Sequence, residues 1–264
     1  MKHHFLIPLA ALILYSALFW YRAERSEMFS RDGYIYCKVI DIWARSGADA
    51  AYSSMAEDLD CGPGIPPLMM AGSAQFMRLG ADVETAILLY NYCCGFLFVL
   101  GGWLAGKALA GERKWEPVVT VFACAILPSF IRISADLLRD GSYLSYLMFG
   151  LGALLYATGS ERAWRWWAML GGLSATAAMF TRREGGELIA AVGIWSLWEL
   201  ALAYRRKDIR TNRVLRCVLY FFSAVVVAGG SGWYIVSRVP SCQWQLIPLQ
   251  KASYVIEHLL GRLW

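Results

Sequence analysis

Read as hydrophobic and polar positions, the chain divides into long apolar blocks separated by short charged stretches. The blocks occupy positions 5–21, 86–106, 117–131, 141–159, 166–181, 188–204 and 215–236, the sixth interrupted by Glu199 and the last carrying Arg216 near its start. Each approaches the roughly 17–25 residues with which an α-helix crosses about 30 Å of hydrocarbon. The pattern predicts an all-α, polytopic membrane bundle of about seven transmembrane helices. Lys2 precedes the first block as in a secretory signal, but Phe19, Trp20 and Tyr21 close it where small residues would mark a cleavage site. Aromatic residues of this kind favour the membrane interface, so a retained anchor is expected.

The stretch 22–85 has a different rhythm. Over 34–46, Ile35, Val39 and Ile42 recur at helical spacing beside Trp43, with Lys38, Asp41 and Arg45 elsewhere around the turn and Gly47 as the stop. This predicts an amphipathic helix on the membrane surface. The run "CGPGIPPL" at 61–68 then breaks any helix, because proline lacks an amide hydrogen and restricts the residue before it. Positions 66–79 resume as an apolar helix too short to span, read as re-entrant or partly embedded. A transmembrane domain over 1–238 and an outer segment over 239–264, itself a short amphipathic helix, complete the expected organisation.

Composition agrees. The 264 residues are 58% hydrophobic and 17% charged, against about a quarter charged in soluble domains, which leaves no room for a large soluble domain. The net charge of +5 is modest and its basic residues sit between apolar blocks, so topology rather than nucleic acid explains them. One alternating set of loops holds Lys107, Arg113, Lys114, Arg162, Arg165 and the basic stretch 205–216; the other holds Arg132, Arg139, Arg182 and Arg183. The positive-inside rule puts the first set and the N-terminus in the cytoplasm. The stretch 22–85 and the loops at 132–140 and 182–187 then face outward. Arg-Asp-Gly occurs at 31–33 and again at 139–141, and both copies fall on that outer face.

Each of these aspartates, Asp32 and Asp140, also opens a helical run, where helix capping is the plain explanation. Capping does not explain why Arg31 and Arg139 precede them. Asp136 competes with Asp140 from one helical turn earlier. Arg182 and Arg183 stand outside against the positive-inside trend; they are either interface anchors or ligands for an anion, since a guanidinium fork matches phosphate. Glu184 is placed to pair with one of them. The three histidines, His3, His4 and His258, lie away from the outer loops, which argues against an imidazole zinc site. Cys93, Cys94, Cys124 and Cys217 lie in or at spans and read as packing residues, whereas Cys37 and Cys61 share the outer side and are candidates for a bridge.

The order of these elements resembles the membrane glycosyltransferases of the GT-C superfamily, in particular the protein mannosyltransferase and aminoarabinose transferase branch, as a short member. An outer Asp32 with Tyr36 follows the first span and precedes a surface helix. Pro66-Pro67-Leu68 leads through "MRLGADVETAILLYNYCCGFLFVLGGWLAGKALAG" into a long span. "PSFIRISADLLRDGSYLSYLMFGLGALLYA" is similar to the loop bearing a second acidic residue, and "GGLSATAAMFTRREGGELIA" to the Gly-rich span ending in basic residues. Ile65 stands where the family has His or Lys.

The resemblance implies inverting transfer of a sugar from a polyprenyl-phosphate donor to an acceptor lipid, glycan or protein on the outer face. In that scheme Asp32 is the general base, Asp140 the second catalytic acid, and Arg182, Arg183, Glu184, Arg139, Arg31 and Tyr36 bind substrate. No cofactor is demanded; a hard divalent cation held by Asp32 and Asp140 is compatible with the chemistry. The setting implied is a multi-pass protein of a bacterial inner or plasma membrane, serving the cell envelope, with membrane lipids and no nucleic acid as partners. The alternative is a non-catalytic membrane subunit or a degenerate lipid-binding relative of the same fold.

Overall fold

The structure, a computed structural model, describes residues 6–25, 31–58, 67–110, 115–161, 163–206 and 209–242. Among these every regular element is helical. Helix α1 (Leu6–Ala23) is followed by three short helices, α2 (Arg31–Ser46), α3 (Ala48–Asp58) and α4 (Pro67–Arg78). The long α5 (Val83–Leu109) leads to the bent pair α6 (Glu116–Ile126) and α7 (Pro128–Ala135), then to α8 (Asp140–Gly159) and α9 (Trp164–Thr181). A single 3-10 turn at Arg183–Gly185 joins α9 to α10 (Gly186–Arg206), and α11 (Ile209–Ser237) is the last described helix. The C-terminal stretch 243–264 and the Cys61 partner expected for Cys37 lie outside the described residues.

Local chemistry sets the breaks. Gly47 takes φ +92° between α2 and α3, and Gly80 takes φ +104° after α4; both conformations suit a residue without a Cβ. The stop at Gly47 was legible in the sequence, but the immediate restart as α3 was not. Asp82 caps α5: its Oδ1 accepts the Thr85 amide at 3.0 Å and its Oδ2 accepts the Thr85 hydroxyl at 2.7 Å. The block at 117–131, continuous in hydropathy, bends by 44° between α6 and α7. Leu127 precedes Pro128 there and is extended (ψ 108°), as proline requires of the residue before it.

Among the described residues three helices are long and apolar enough to cross a membrane, Leu6–Ala23, Val83–Leu109 and the Arg213–Ser237 part of α11; the bent α6–α7 pair makes a fourth when counted as one span. Helices α8, α9 and α10 fill the remaining apolar blocks. Side-chain contacts give the packing directions. Tyr92 donates to Ser16 at 2.8 Å and Phe98 stacks on Phe130 with ring centroids 3.7 Å apart, so α5 runs antiparallel to α1 and to α6–α7. Tyr90 and Tyr146 meet at 3.1 Å, while Gly101 packs on Met148 and Gly152, so α5 and α8 run parallel. Ser174 donates to the Tyr146 carbonyl at 2.9 Å across the antiparallel α8–α9 pair.

The apolar face expected on α2 is not left for a membrane surface. Tyr36, Val39 and Ile40 are buried in the main core with Tyr52, Met55, Met69 and Met70 from α3 and α4. A second, smaller core joins Leu154, Ala157 and Ala168 to Cys217 and Phe221.

Glycines set how closely the helices approach. A Cβ on Gly152 would collide with the Gly101 carbonyl oxygen, and one on Gly172 with the carbonyl of Phe221. Such small-residue seams let helices associate in lipid, where burial of apolar surface gives little drive. Gly152→Val is therefore expected to cost about 1–3 kcal/mol by overpacking, read as a lower melting temperature in detergent. Gly159→Ala, which meets nothing within 4 Å, should melt like the parent.

Candidate functional site

The packing directions gather charged side chains at one end of the bundle: Arg22 at the end of α1, the α7–α8 connection, the start of α8 and the end of α9. The connection is held from inside. Asn91, fully buried in α5, donates through Nδ2 to the carbonyls of Asp136 at 3.2 Å and Leu138 at 2.9 Å. Those carbonyls would otherwise lack partners. Gly141 completes the turn, because a Cβ there would press on the backbone and side chain of Ser134 in α7. The glycine of the second Arg-Asp-Gly thus has a packing reason.

Asp140 is the first residue of α8 and lies 42 positions before Arg182. At the other side of the site α9 stops at Arg182, whose backbone turns extended (φ −152°, ψ 143°) while its amide still bonds the Ala178 carbonyl at 2.8 Å. The 3-10 turn then folds back over α9, with Gly185 against the backbone of Ala178 and Met179 where a Cβ would not fit. That turn returns Glu184 to Arg182. The Arg182 Nε donates to Glu184 Oε2 at 3.1 Å, and Nη1 donates to Asp140 Oδ1. Tyr143, one turn after Asp140, puts its ring centroid 5.6 Å from the guanidinium carbon, within cation–π range. The bonds occupy Nη1 and Nε, so Nη2 is committed to neither carboxylate.

Asp140 does not cap α8. The N-cap is Arg139, which makes no side-chain capping bond, and the Asp140 carboxylate is spent on Arg182. Its charge still suits the positive end of the helix dipole. The side chains of Arg182 and Asp140 are 36% and 32% exposed, and pairs open to water at that level contribute about 1 kcal/mol or less. The arrangement positions a cation more than it holds the fold together. For Glu184, burial alone would raise the carboxyl; its backbone hydrogen bond and the neighbouring Arg182 and Arg139 outweigh that and hold it below its ordinary value. Asp136 is half-buried, and desolvation pushes its carboxyl up despite the nearby charges of Arg22 and Arg132.

Of the residues singled out in the sequence, Asp140, Arg182, Glu184 and Arg139 come together. Asp32 is exposed in the first turn of α2, and among the described residues no hydrogen bond or ion pair joins it to that group. Tyr36, one turn further on, is buried in the core. The side chains of Arg31 and Arg183 lie outside the described residues. Among the described residues no group of three or more His, Cys, Asp or Glu side chains comes together as a metal site. Sequence reasoning passed over Tyr143 and Asn91. Asn91 carried a signal, as the lone carboxamide in the apolar block 86–106.

Beside this end lies an apolar cavity of about 450 Å³ between the α2–α4 layer and helices α9 and α11, lined among others by Trp43, Tyr52, Leu68, Phe180 and Val236. Phe180 is two residues from Arg182. A clasp closes one edge. Ser241 donates its amide to Asp49 Oδ1 at 3.1 Å, and its hydroxyl lies 2.6 Å from the same oxygen.

The depressed carboxyl of Glu184 gives a pH test. Its folded value lies below the unfolded one, so its stabilisation is complete above the unfolded value of about 4.3 and is lost as pH falls through the folded value. Melting curves of wild type and Arg182→Ala should therefore differ most near neutral pH and converge below about pH 4.

No protein-family model matches this chain and no curated protein matches its sequence, so the functional reading rests on the chemistry of these side chains.

Proposed function

We propose that this chain is an integral-membrane glycosyltransferase of the GT-C kind, acting on a polyprenyl-phosphate-linked sugar at the end of the bundle that carries both Arg-Asp-Gly tripeptides. In this reading α8, α9 and α10 cross the membrane with the other helices, giving seven crossings. The active end faces outward, the N-terminus is cytoplasmic, and the membrane is a bacterial inner or plasma membrane. The observation that carries the reading is the Arg182 guanidinium held by Asp140 and Glu184, with Nη2 uncommitted, at the end of α9, whose Phe180 lines an apolar cavity. A lipid phosphate needs a fixed cation for its headgroup and an apolar surface for its tail; these features supply both.

The chemistry follows from the group to be moved. An acceptor hydroxyl on a lipid, glycan or protein attacks the anomeric carbon from the face opposite the phosphate. Its proton passes to the Asp32 carboxylate, the sugar–phosphate bond breaks, and polyprenyl phosphate leaves with its charge met by Arg182 and Arg183. The configuration inverts. Asp140, with Glu184, fixes the Arg182 fork, and Arg139 borders the donor. A divalent cation is compatible with this chemistry and is not required by it.

A second reading, a non-catalytic subunit or degenerate lipid-binding relative, is favoured by one observation: Asp140 is already neutralised by Arg182. One experiment separates them. Purified protein is supplied with a polyprenyl-phosphate sugar and candidate acceptors, and released polyprenyl phosphate is measured. Asp32→Asn should fold normally yet turn over about 10²–10⁴-fold more slowly, because the amide cannot take the proton. An Asn variant as active as wild type removes Asp32 as the base. A wild type that binds the donor without ever releasing sugar supports the second reading.

A further inference from the structure

At the opposite end of the bundle, Arg213 opens the membrane-spanning part of α11, Arg213–Ser237. The positive-inside rule accounts for arginines at this end, but a topology arginine keeps its head in water by snorkelling. Arg213 does not. Its Nε and Nη2 are buried and have no hydrogen-bond partner. A buried cation without a counter-charge is costly enough that structures almost always pair it, so an unpartnered guanidinium points to a missing anion.

The surroundings say what kind. Val214, Cys217 and Tyr220 on α11 belong to the smaller core with Trp164 and Trp167 of α9. The Trp164 and Tyr220 rings meet edge to face at 5.4 Å, and the Arg165 guanidinium lies over both, 5.4 Å and 5.8 Å from their centroids. Arg213, Arg216 and Tyr220 follow one another at helical spacing on one side of α11. Arg216 is exposed, and no ion pair among the described residues engages Arg165, Arg213 or Arg216. Helix α9 separates this end from Arg182 by its 18 residues, roughly 27 Å at 1.5 Å per residue, close to the thickness of the hydrocarbon layer. Exposed Trp166 beside the site fits an interfacial aromatic belt.

We propose that Arg213, with Arg216 and Arg165 at its rim, seats the phosphate of an anionic membrane lipid. This site is independent of the transferase reading. Arginine's planar fork suits a phosphodiester, the aromatic rim accepts the first methylenes of the acyl chains, and Arg165 and Arg216 favour a net-negative headgroup over a zwitterionic one.

The test uses the whole protein, delipidated in a neutral detergent, with retained lipid counted by native mass spectrometry and stability followed by melting. Phosphatidylglycerol should bind and raise the melting temperature, and phosphatidylcholine should bind about tenfold more weakly or worse. Inorganic phosphate at the same concentration should do little. Arg213→Gln should lose at least about tenfold in phosphatidylglycerol affinity. Without lipid it should melt no lower than wild type, because the unpaired buried charge is gone. Should that variant fail to fold, the exposed Arg216→Gln still reports through a weaker preference for phosphatidylglycerol over phosphatidylcholine. Equal binding of the two lipids overturns the proposal, as does undiminished binding by Arg213→Gln. Protection by inorganic phosphate equal to that by phosphatidylglycerol makes the occupant a free anion and overturns the lipid assignment.

Discussion

The contact between Asp140 and Arg182 ties the start of α8 to the end of α9 and fixes where the candidate site lies. Neither residue would hold its place alone. Asp140 is set by a connection pinned from inside by Asn91, and Arg182 by the extended break that ends α9. Since the pair is about one-third exposed, its modest energy matters less than its direction. It aims a guanidinium at the rim of the bundle and leaves one nitrogen unclaimed. The 3-10 turn adds Glu184 from the other side, so the cation is held by two carboxylates rather than one.

Close helix packing makes that geometry available. Gly101 and Gly152 bring α5 and α8 together, Gly150 and Gly171 do the same for α8 and α9, and Gly172 admits α11. Small and hydroxylated residues face neighbouring helices in this bundle, while large apolar side chains such as Ile194, Leu197 and Val226 are exposed on α10 and α11. For a bundle in lipid, that distribution is the expected inversion of a soluble core.

The apolar blocks in the sequence carried the helices closely. The block 141–159 became α8 and 166–181 became α9, each to within two residues of its observed ends. The bend at Pro128 was visible only in the proline itself, because hydropathy runs unbroken across it. Helix α3 was not legible, since "ADAAYSSMAED" has no strong apolar period and is ordered by packing on α2 and burying Ala51, Tyr52 and Met55 in the main core. The repeated tripeptide drew attention to Asp140, but the arginine that binds it is not the adjacent Arg139. Arg139 touches the group only through its charge on Glu184, and the partner that binds Asp140 lies 42 positions away, a distance that no local pattern encodes. Likewise Asp32 matched Asp140 in sequence and not in surroundings, because α2 packs on α3 and α4 instead of on α8.

The account stands on α8 and α9 crossing the membrane with their charged ends together. Single cysteines at 32, 140 and 165, each in a cysteine-free background, can be labelled in sealed cells with a membrane-impermeant maleimide. Positions 32 and 140 should react from one compartment, and position 165 only after the membrane is opened. Labelling of 140 and 165 from the same side would contradict the account.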